Sequence, residues 1–367
     1  MARLGDICEI LDSMRVPITA SDRKPGPYPY YGANGVQDYV ADYIFDDELV
    51  LLAEDGGNFG SKDKPIAYRV SGKCWVNNHA HVLKPKEGVD VDYLCYSLMF
   101  YDVTGLVNGA TRKKLTQADM RKIEIPLPPL DEQRKIAAVL DKISDLTAKR
   151  RRQLDKLDEL VKSRFVEMFG NFLGNQGEKT TLSDVCKIIT DGTHQPPEFV
   201  PSGIPFLFVS NIVTNEITYD AEKFISEDTY NELIKRTPIE LGDILLSTVG
   251  SYGHPAIVKS DKRFCFQRHI AYLKPKAELV DSVYLHSVIL SDDVQRQIEK
   301  NVKGIAQKTL NLSEIRKIKV PLPSMESQKR FAEMVTHIDK IKLQVRASLD
   351  KLEMLKKARM QEYFVMR

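Results

Sequence analysis

The sequence predicts an α+β protein with two globular domains of mixed β-rich/α fold, which are separated by two long helices that form an antiparallel coiled coil. Three observations predict this architecture. A segment near the middle of the chain recurs near its end, a long helix-forming stretch follows each copy, and the remaining parts carry strand and turn signals. The predicted boundaries, alternating globular and helical, are 1–130, 131–170, 171–325 and 326–367.

The repeat aligns residues 109–135 with residues 304–330 without a gap, at an offset of 195 residues. Arg-Lys-Ile and Pro-Leu-Pro recur within it, and Gln133 recurs as Gln328. The sequence LGDICEI, which begins at Leu4, returns as LSDVCKI, but at an offset of 178 residues, so loops of different length separate the shared segments. Solenoid units are only about 20–50 residues long. The pattern therefore indicates a duplicated domain whose divergent loops suit two sites that read different targets.

The two helical segments share one apolar stripe. Residues 134–169 and 329–367 contain neither proline nor glycine. Apolar residues recur at steps of three and four, which is typical of a coiled-coil seam. The predicted seam is Ile136, Leu140, Ile143, Leu146, Leu154, Leu157, either Leu160 or Val161, and Phe165 in the first segment, and Phe331, Val335, Ile338, Ile341, Val345, Leu349, Leu352, Leu355 and Met360 in the second.

The pairing of these helices has two interpretations. Each helix could pack on its own domain, but such long, charged helices have too little globular surface beside them. Two equivalent units in one chain usually relate by a pseudo-twofold axis. We therefore expect the two helices to run antiparallel and the whole chain to be pseudo-twofold symmetric.

The globular parts are richer in strand signals than in helix signals. Residues 70–85 and 261–275 combine β-branched and aromatic residues with polar alternation, which predicts strands. Short helices are predicted at 91–100 and 282–300. The glycine-bearing stretch 170–177 is predicted to link the two halves.

Composition predicts a soluble, cytoplasmic protein. The five cysteines are scattered, which argues against a disulfide framework or a zinc site. The N-terminal residues lack the basic start and apolar run of a signal peptide. No apolar stretch approaches the roughly 18 residues that a membrane span needs.

The Pro-Leu-Pro motif with its following glutamine and long helix occurs twice, after dissimilar globular domains that open with Leu-Gly-Asp or Leu-Ser-Asp. This duplicated order resembles the specificity subunit of type I restriction-modification enzymes over nearly the whole chain. The resemblance implies that each globular domain is a target recognition domain, which reads one half of a bipartite, asymmetric double-stranded DNA target. It also implies that the coiled coil sets the gap between half-sites and docks two adenine-methyltransferase (modification) subunits, which endonuclease/translocase (restriction) subunits join. The chain itself would be non-catalytic and without a cofactor, with S-adenosylmethionine, ATP and Mg²⁺ expected on its partners.

The charge distribution agrees less well with DNA binding. The formal net charge is +2, and the helical segments hold the excess of Lys and Arg, so the remainder is net negative. DNA contacts must then rely on local clusters such as 112–114 and 259–263. A charge cluster is more often a solvated face, but the recurrence of Lys113 as Lys308 favours phosphate contacts for this pair.

Base reading needs side chains with paired donors and acceptors, or Arg and Lys, on loops that reach base edges. A turn-forming or strand-capping role is the alternative for each such residue. The predicted DNA-binding residues are Asn34, Asn58, Lys62, Asn77, Asn78, Arg112, Lys113 and Lys114 in the first domain, and Thr193, His194, Gln195, Ser251, Tyr252, His254, Arg268, Gln307 and Lys308 in the second.

No catalytic or metal-binding residue is predicted. Residues 195–198, Gln-Pro-Pro-Glu, lack the first residue and the aromatic of an adenine-methyltransferase motif. The glycine-rich stretch 57–62 alone is weak evidence for phosphate binding, and His79 and His81 fit a packed strand better than a metal site. Two other functions stay open: a stand-alone coiled-coil scaffold with two partner-binding domains, and an enzyme that uses 57–62 or the two histidines.

Overall fold

The computed structural model describes residues 1–109, 113–173, 179–304 and 308–364. The chain forms two compact units: unit 1 comprises residues 1–152 and 346–367, and unit 2 comprises residues 153–345. Both units mix strands with short helices, and each takes part of both long helices. The predicted α+β fold class is confirmed. Within the described part of the chain, no helix is long and apolar enough to cross a membrane.

Unit 1 is built around one large sheet. Its strands are β1 (Ala2–Arg3), β2 (Cys8–Ile10), β3 (Pro25–Gly32), β4 (Gly35–Val40), β5 (Phe45–Ala53), β6 (Ala67–Val76), β7 (Ala80–Pro85), β8 (Val107–Asn108), β9 (Lys114–Leu115) and β10 (Glu124–Ile125). Its helices are α1 (Leu4–Ile7), α2 (Val91–Met99), α3 (Gln117–Met120) and the start of α4 (Leu130–Leu173), with 3-10 turns at Asp12–Met14 and Ala20–Asp22. The six-stranded sheet has the order β2-β7-β5-β6-β3-β4, and its only parallel pair joins β3 to β6. The continuous apolar run from Leu49 to Ala53 is fully buried, which suits the interior position of β5.

Unit 2 repeats the central part of this sheet. Its strands are β11 (Lys179–Thr181), β12 (Cys186–Asp191), β13 (Ile204–Leu207), β14 (Phe224–Ile225), β15 (Ile244–Ser247), β16 (Pro255–Ile257), β17 (Cys265–Phe266), β18 (Ile270–Pro275) and β19 (Lys319–Pro321). Its helices are α5 (Leu182–Val185), α6 (Glu227–Leu233), α7 (Ser282–Ile289), α8 (Asp292–Asn301), α9 (Leu312–Lys317) and the start of α10 (Met325–Phe364), with a 3-10 turn at Val209–Asn211. The antiparallel order β12-β18-β15 corresponds to β2-β7-β5 of unit 1. The parallel pair of β13 and β17 corresponds to that of β3 and β6.

The short sequence segments that recur in both units have a structural cause. Lys86 follows β7 and donates from Nζ to the carbonyl of Asp6 in α1 at 2.8 Å. Lys276 follows β18 and donates to the carbonyl of Asp184 in α5 at 2.7 Å. The recurring lysine thus ties the recurring first helix to the sheet in each unit.

The two long helices pair antiparallel within each unit. In unit 1, Ser144 accepts a hydrogen bond from Lys356 at 2.9 Å, and Arg151 forms an ion pair with Glu353 at 2.8 Å. Residue numbers therefore rise along α4 as they fall along α10. In unit 2, Asp158 pairs with Lys342, and Phe165 then packs on Phe331 with ring centroids 5.5 Å apart. The antiparallel prediction is confirmed within each unit.

Most of the predicted seam is buried or half-buried. The buried members are Ile136, Leu140, Ile143, Phe165, Phe331, Val335, Ile338 and Val345, and the half-buried members are Leu154, Leu157, Ile341, Leu349, Leu352 and Met360. Leu146 and Leu355 were predicted wrongly, because they are exposed. The stripe alternates steps of three and four, so after Ile143 it continues at Thr147, and after Leu352 at Lys356. Val161, rather than the exposed Leu160, packs on the core of unit 2.

Two further predictions need correction. The helix expected at 282–300 is two helices, because Ser291 takes an extended conformation with φ −66° and ψ 149° and begins α8 as its N-cap. The expected linker at 170–177 is partly helical, because α4 continues past Gly170 to Leu173. A glycine near a helix end costs only about 1 kcal/mol relative to alanine.

Candidate nucleic-acid interface

In unit 2, four segments meet at one end of the central strands β12, β18 and β15. We call these segments, residues 191–195, 248–254, 267–269 and 308–310, the unit 2 rim. Backbone hydrogen bonds join them in series. Arg268 N donates to Thr193 O at 3.1 Å, and Thr248 N donates to His269 O at 2.9 Å. Leu310 N then donates to Thr248 O at 2.8 Å. Segments that are distant in sequence therefore form one continuous surface.

Unit 1 has the same arrangement, and we call residues 12–15, 54–58, 77–81 and 113–115 the unit 1 rim. Glu54 N donates to His79 O at 2.9 Å, as Thr248 does to His269 in unit 2. Leu115 N donates to Glu54 O at 2.7 Å, which matches the bond from Leu310. The two rims thus share a backbone frame but carry different side chains.

The predicted DNA-binding residues converge on these rims. In unit 1, Asn34 lies beside the rim and donates to the carbonyl of Gly56 at 3.0 Å, and Lys62 is exposed on the loop that follows the rim. Arg112 and Gln307 lie outside the described residues. The other predicted residues lie in the rims themselves: Asn58, Asn77, Asn78, Lys113 and Lys114 in unit 1, and Thr193, His194, Gln195, Ser251, Tyr252, His254, Arg268 and Lys308 in unit 2.

These rim residues differ in how available their side chains are. Asn78, Lys113, Gln195, Ser251, Arg268 and Lys308 are exposed. Asn77 is buried, and its side chain donates to Gln37 at 3.1 Å and accepts from the His79 backbone at 2.8 Å. This geometry favours a structural role for Asn77, because its amide is already engaged.

Several other rim side chains also have protein partners. Thr193 donates to the carbonyl of Gln195 at 2.9 Å, and Asn58 donates to that of Pro65 at 3.3 Å. His254 Nδ1 lies 3.1 Å from Asn215 Oδ1. These bonds fix the loops that carry the exposed residues.

An aromatic and a lysine lie together in the unit 2 rim. Lys308 Nζ lies 5.9 Å from the centre of the Tyr252 ring, within the range of a cation–π contact. In the basic cluster 259–263, by contrast, Lys259 pairs with Asp339 at 2.6 Å and Arg263 pairs with Glu227. The recurring lysine is therefore a better phosphate candidate than this cluster.

The unit 1 rim also contains a buried polar network that the sequence does not predict. His81 is fully buried, with Nδ1 2.6 Å from Asp12 Oδ2 and Nε2 2.9 Å from the carbonyl of Leu115. Asp12 Oδ1 accepts from Val82 N at 2.9 Å, and Oδ2 accepts from Gln117 at 3.1 Å. One histidine thus joins the first segment of the rim to its last.

The network extends to a second carboxylate. Arg15 Nη1 donates to Glu54 Oε2 at 2.6 Å and to the carbonyl of Ala80 at 2.7 Å. Lys114 Nζ lies 2.9 Å from Glu54 Oε1. All four rim segments of unit 1 are therefore tied together by charged groups.

The carboxyl groups of Asp12 and Glu54 both have a lowered pKa. Burial alone would raise the pKa of Asp12, but hydrogen bonds from His81 and Val82 and the charge of Arg15 outweigh it. Burial also opposes ionisation of Glu54, whose pKa is nevertheless lowered by hydrogen bonds from Arg15 and Lys114. Both groups are therefore carboxylates at neutral pH.

The same residues raise the question of a metal site. Potential ligand atoms of Asp12, Glu54 and His81 lie within 4.8 Å of one another. A cation here would compete with Arg15, whose guanidinium already occupies the space beside Glu54. The arrangement suits an internal ion-pair network better than a metal centre.

Unit 2 has a simpler counterpart. Asp191 pairs with His194 three residues later at 2.9 Å, as Asp12 pairs with Arg15 at 3.6 Å. Arg236 Nη2 adds a second contact to Asp191 at 2.5 Å. An aspartate and a nitrogen-bearing side chain three residues apart thus shape the first rim segment in each unit.

Comparison with known proteins agrees with this duplicated arrangement. The sequence matches the family model described as type I restriction modification DNA specificity domain over residues 1–158 and 176–354. A putative type I restriction enzyme specificity subunit of Haemophilus influenzae is 28% identical, over 90% of this chain and 85% of the relative. The MjaVIII type I specificity subunit of Methanocaldococcus jannaschii is 24% identical, over 97% of this chain and 90% of the relative.

Solved structures show the same fold. The crystal structure of a type I restriction-modification S subunit from M. genitalium aligns with a TM-score of 0.64 at 15% identity, and covers 100% of this chain and 96% of that one. A chain from a structural study of complex assembly and conformational transition in the type I R-M system aligns with a TM-score of 0.52 at 17% identity. That alignment covers 99% of this chain and 96% of the other.

Proposed function

Because the chain belongs to the type I restriction modification DNA specificity family, we propose that it recognises a bipartite, asymmetric duplex DNA target and reads one half-site with each unit. The observation that carries this proposal is the recurrence of the rim. A shared backbone frame in both units supports docking of both on duplex DNA in a similar way, and different side chains on that frame support two different half-sites.

We assign backbone contacts and base contacts to different residues of each rim. Lys113 and Lys308 are exposed and occupy the same position of the repeat, which suits contacts to phosphate. Asn78, Gln195 and Arg268 are exposed and carry the donor and acceptor groups that distinguish base edges. Binding strength would then come from the shared positions and sequence preference from the divergent ones.

The catalytic steps of restriction and modification are proposed to belong to partner subunits. The paired long helices would dock two adenine-methyltransferase subunits that supply S-adenosylmethionine chemistry. Endonuclease/translocase subunits would supply ATP and Mg²⁺ chemistry. The chain itself would contribute recognition and assembly, in the cytoplasm where host DNA is accessible.

We expect the purified chain alone to transfer no methyl group to DNA, and the chain with its methyltransferase partner to methylate adenines in a two-part sequence. Mapping of methylated adenines in DNA from cells that carry both subunits would give the target. Footprinting on that duplex should then show two protected half-sites. Methyl transfer by the chain alone would contradict the proposal, and a scaffold without DNA recognition would leave the duplex unprotected.

A double substitution, Lys113→Ala with Lys308→Ala, should weaken DNA binding by the complex on every sequence. Each lost phosphate contact makes the slope of log K against log salt less negative by about 1. The slope for the double variant should therefore be less negative by about 2. The measurement is a salt titration of binding by fluorescence anisotropy, on the target and on unrelated duplexes.

The chain offers a matched control for this pair. Lys122 and Lys317 also occupy one repeat position, and each pairs with an acidic residue three positions earlier, at 2.9 Å and 3.2 Å respectively. Their double alanine variant removes the same formal charge and should leave the salt slope unchanged. Equal slopes for the two double variants would exclude a specific phosphate contact by Lys113 and Lys308.

A further inference from the structure

A buried glutamine joins the start of the first long helix to the globular part of unit 1. The side chain of Gln133 is 1% exposed and uses its whole amide. Its Oε1 accepts from Asp90 N at 2.9 Å, and its Nε2 donates to the carbonyls of Gly88 at 3.0 Å and Pro128 at 2.8 Å. The helix start is thereby bonded to the loop that precedes α2.

Unit 2 has the same set of hydrogen bonds at the start of its long helix. Gln328 is 0% exposed, and its Oε1 accepts from Asp281 N at 2.9 Å. Its Nε2 donates to the carbonyls of Leu279 at 3.2 Å and Pro323 at 2.9 Å. The loop here precedes α7, the counterpart of α2.

The glutamine completes a closed ring of bonds in each unit. In unit 1, Asp90 caps α2 by accepting from Tyr93 N at 2.9 Å, and the Tyr93 hydroxyl donates to the carbonyl of Pro126 at 2.8 Å. In unit 2, Asp281 accepts from Tyr284 N at 3.1 Å, and the Tyr284 hydroxyl donates to the carbonyl of Pro321 at 3.1 Å. Both outer prolines of each Pro-Leu-Pro motif are thus held through their carbonyls.

This ring of hydrogen bonds fixes the direction of the long helix as well as its contact with the globular part. The Pro-Leu-Pro segment is the covalent connection between the globular part and the long helix. Each proline has a fixed φ near −65°, so the segment is stiff. Bonds at both of its ends leave the helix little freedom to pivot against the sheet of its own unit.

We propose that Gln133 and Gln328 are positioning residues, which set the direction in which each long helix leaves its globular part and thereby set the half-site spacing that the chain accepts. The inference rests on the proposed bipartite target. Neither glutamine touches DNA in this scheme, because both are buried. They act through the helix that each one holds.

The test uses the assembled complex with its methyltransferase partner and the duplex target found by methylation mapping. Binding is measured on duplexes whose spacer is one base pair shorter, unchanged or one base pair longer. The unsubstituted complex should prefer one spacer by about tenfold or more, because a changed spacer forces the duplex to twist. Gln133→Ala and Gln328→Ala should reduce this preference to about threefold or less, while binding to a duplex with a single half-site stays unchanged.

A control and a second variant separate positioning from simple stability. Gln297 also clamps backbone, because it accepts from Lys319 N at 2.8 Å and donates to Lys319 O at 2.9 Å, but it lies on α8 and not at a long helix. Gln297→Ala should keep the spacer preference. Gln133→Met keeps nearly the same side-chain length and volume but removes the hydrogen bonds to Asp90, Gly88 and Pro128, so it should relax the spacing even where the alanine variant folds poorly.

The outcomes are distinct. Variants that retain the spacer preference, or that lose affinity equally for every duplex including the single half-site, would overturn the positioning role. An unsubstituted complex that binds all spacers equally would instead contradict the bipartite target itself.

Discussion

Phe169→Ala is expected to lower the free energy of unfolding of unit 2 by about 3–5 kcal/mol, which is the usual cost of removing a buried aromatic ring. Phe169 lies near the end of α4 and is 1% exposed. Its ring centroid lies 4.9 Å from that of Tyr284 and 5.5 Å from that of Phe331. The substitution would leave a cavity among three elements, α4, α7 and α10. Urea denaturation followed by circular dichroism, with hydrogen exchange of the α7 amides, measures the loss.

Phe172→Ala is the matched control, because it removes the same ring three residues later on the same helix. Phe172 is 40% exposed, so its loss should change the unfolding free energy by only about 0.5 kcal/mol. Similar effects of the two substitutions would show that the end of α4 does not pack into unit 2 as described.

His81→Ala is expected to lower the stability of unit 1 by about 3–5 kcal/mol, because it breaks a buried pair and leaves Asp12 without its closest partner. The packing that is disrupted should lie in the unit 1 rim. Trp75 is the single tryptophan of the chain, and its indole donates to the carbonyl of Val16, next to the rim, at 2.6 Å. Its fluorescence during urea denaturation therefore reports on this region.

The same variant should change the response to acid. The folded-state pKa values of Asp12 and Glu54 lie below their ordinary values of 3.8 and 4.5. A lowered carboxyl pKa gives stability that is fully present above the ordinary value and is lost as pH falls through the folded value. The unsubstituted unit 1 should thus lose stability below about pH 5, and His81→Ala should lose less of it.

An exposed histidine serves as the control for both measurements. His194 lies in the unit 2 rim with its side chain more than half exposed. His194→Ala should leave the Trp75 denaturation curve and its acid dependence unchanged. A His81→Ala variant with the acid dependence of the original chain would mean that His81 does not hold Asp12 ionised.

The long helices could be predicted from sequence because two independent signals coincide there. Proline and glycine are absent over long stretches, and the repeat forces both segments to share one apolar stripe. The errors at Leu146 and Leu355 arose where polar residues, Thr147 and Lys356, occupy the seam. At Lys356 the stem is half-buried and the amine is held by Ser144, which residue type alone does not reveal.

The buried network of unit 1 could not be predicted, because Asp12, Glu54 and His81 come from three separate segments. One signal was available. His81 interrupts the apolar strand of Ala80, Val82 and Leu83, and the corresponding residue of unit 2 is Ala271. A polar side chain inside such a strand requires partners, but the sequence does not identify them.

The rim candidates are polar side chains on loops that could reach base edges, and the sheet explains why they converge. Loops at the same end of neighbouring strands lie side by side. Candidates that are distant in sequence, such as Arg268 and Lys308, therefore share one surface. Burial is not visible in the sequence, so the sequence does not distinguish the buried Asn77 from the exposed Asn78. The DNA contacts of the exposed residues stay predictions.

The division of the long helices between the units affects how the chain is made. Unit 1 contains the first part of α4 and also the final residues of α10. Tyr93 and Ile136 are covered there by Met360 and Phe364. On the ribosome, the core of unit 1 cannot close until residues 360–364, which follow all of unit 2 in the sequence, have been synthesised. Unit 1 is therefore completed only after the whole of unit 2 has been made, and a chain interrupted before α10 would expose the apolar surface of Tyr93 and Ile136 to water.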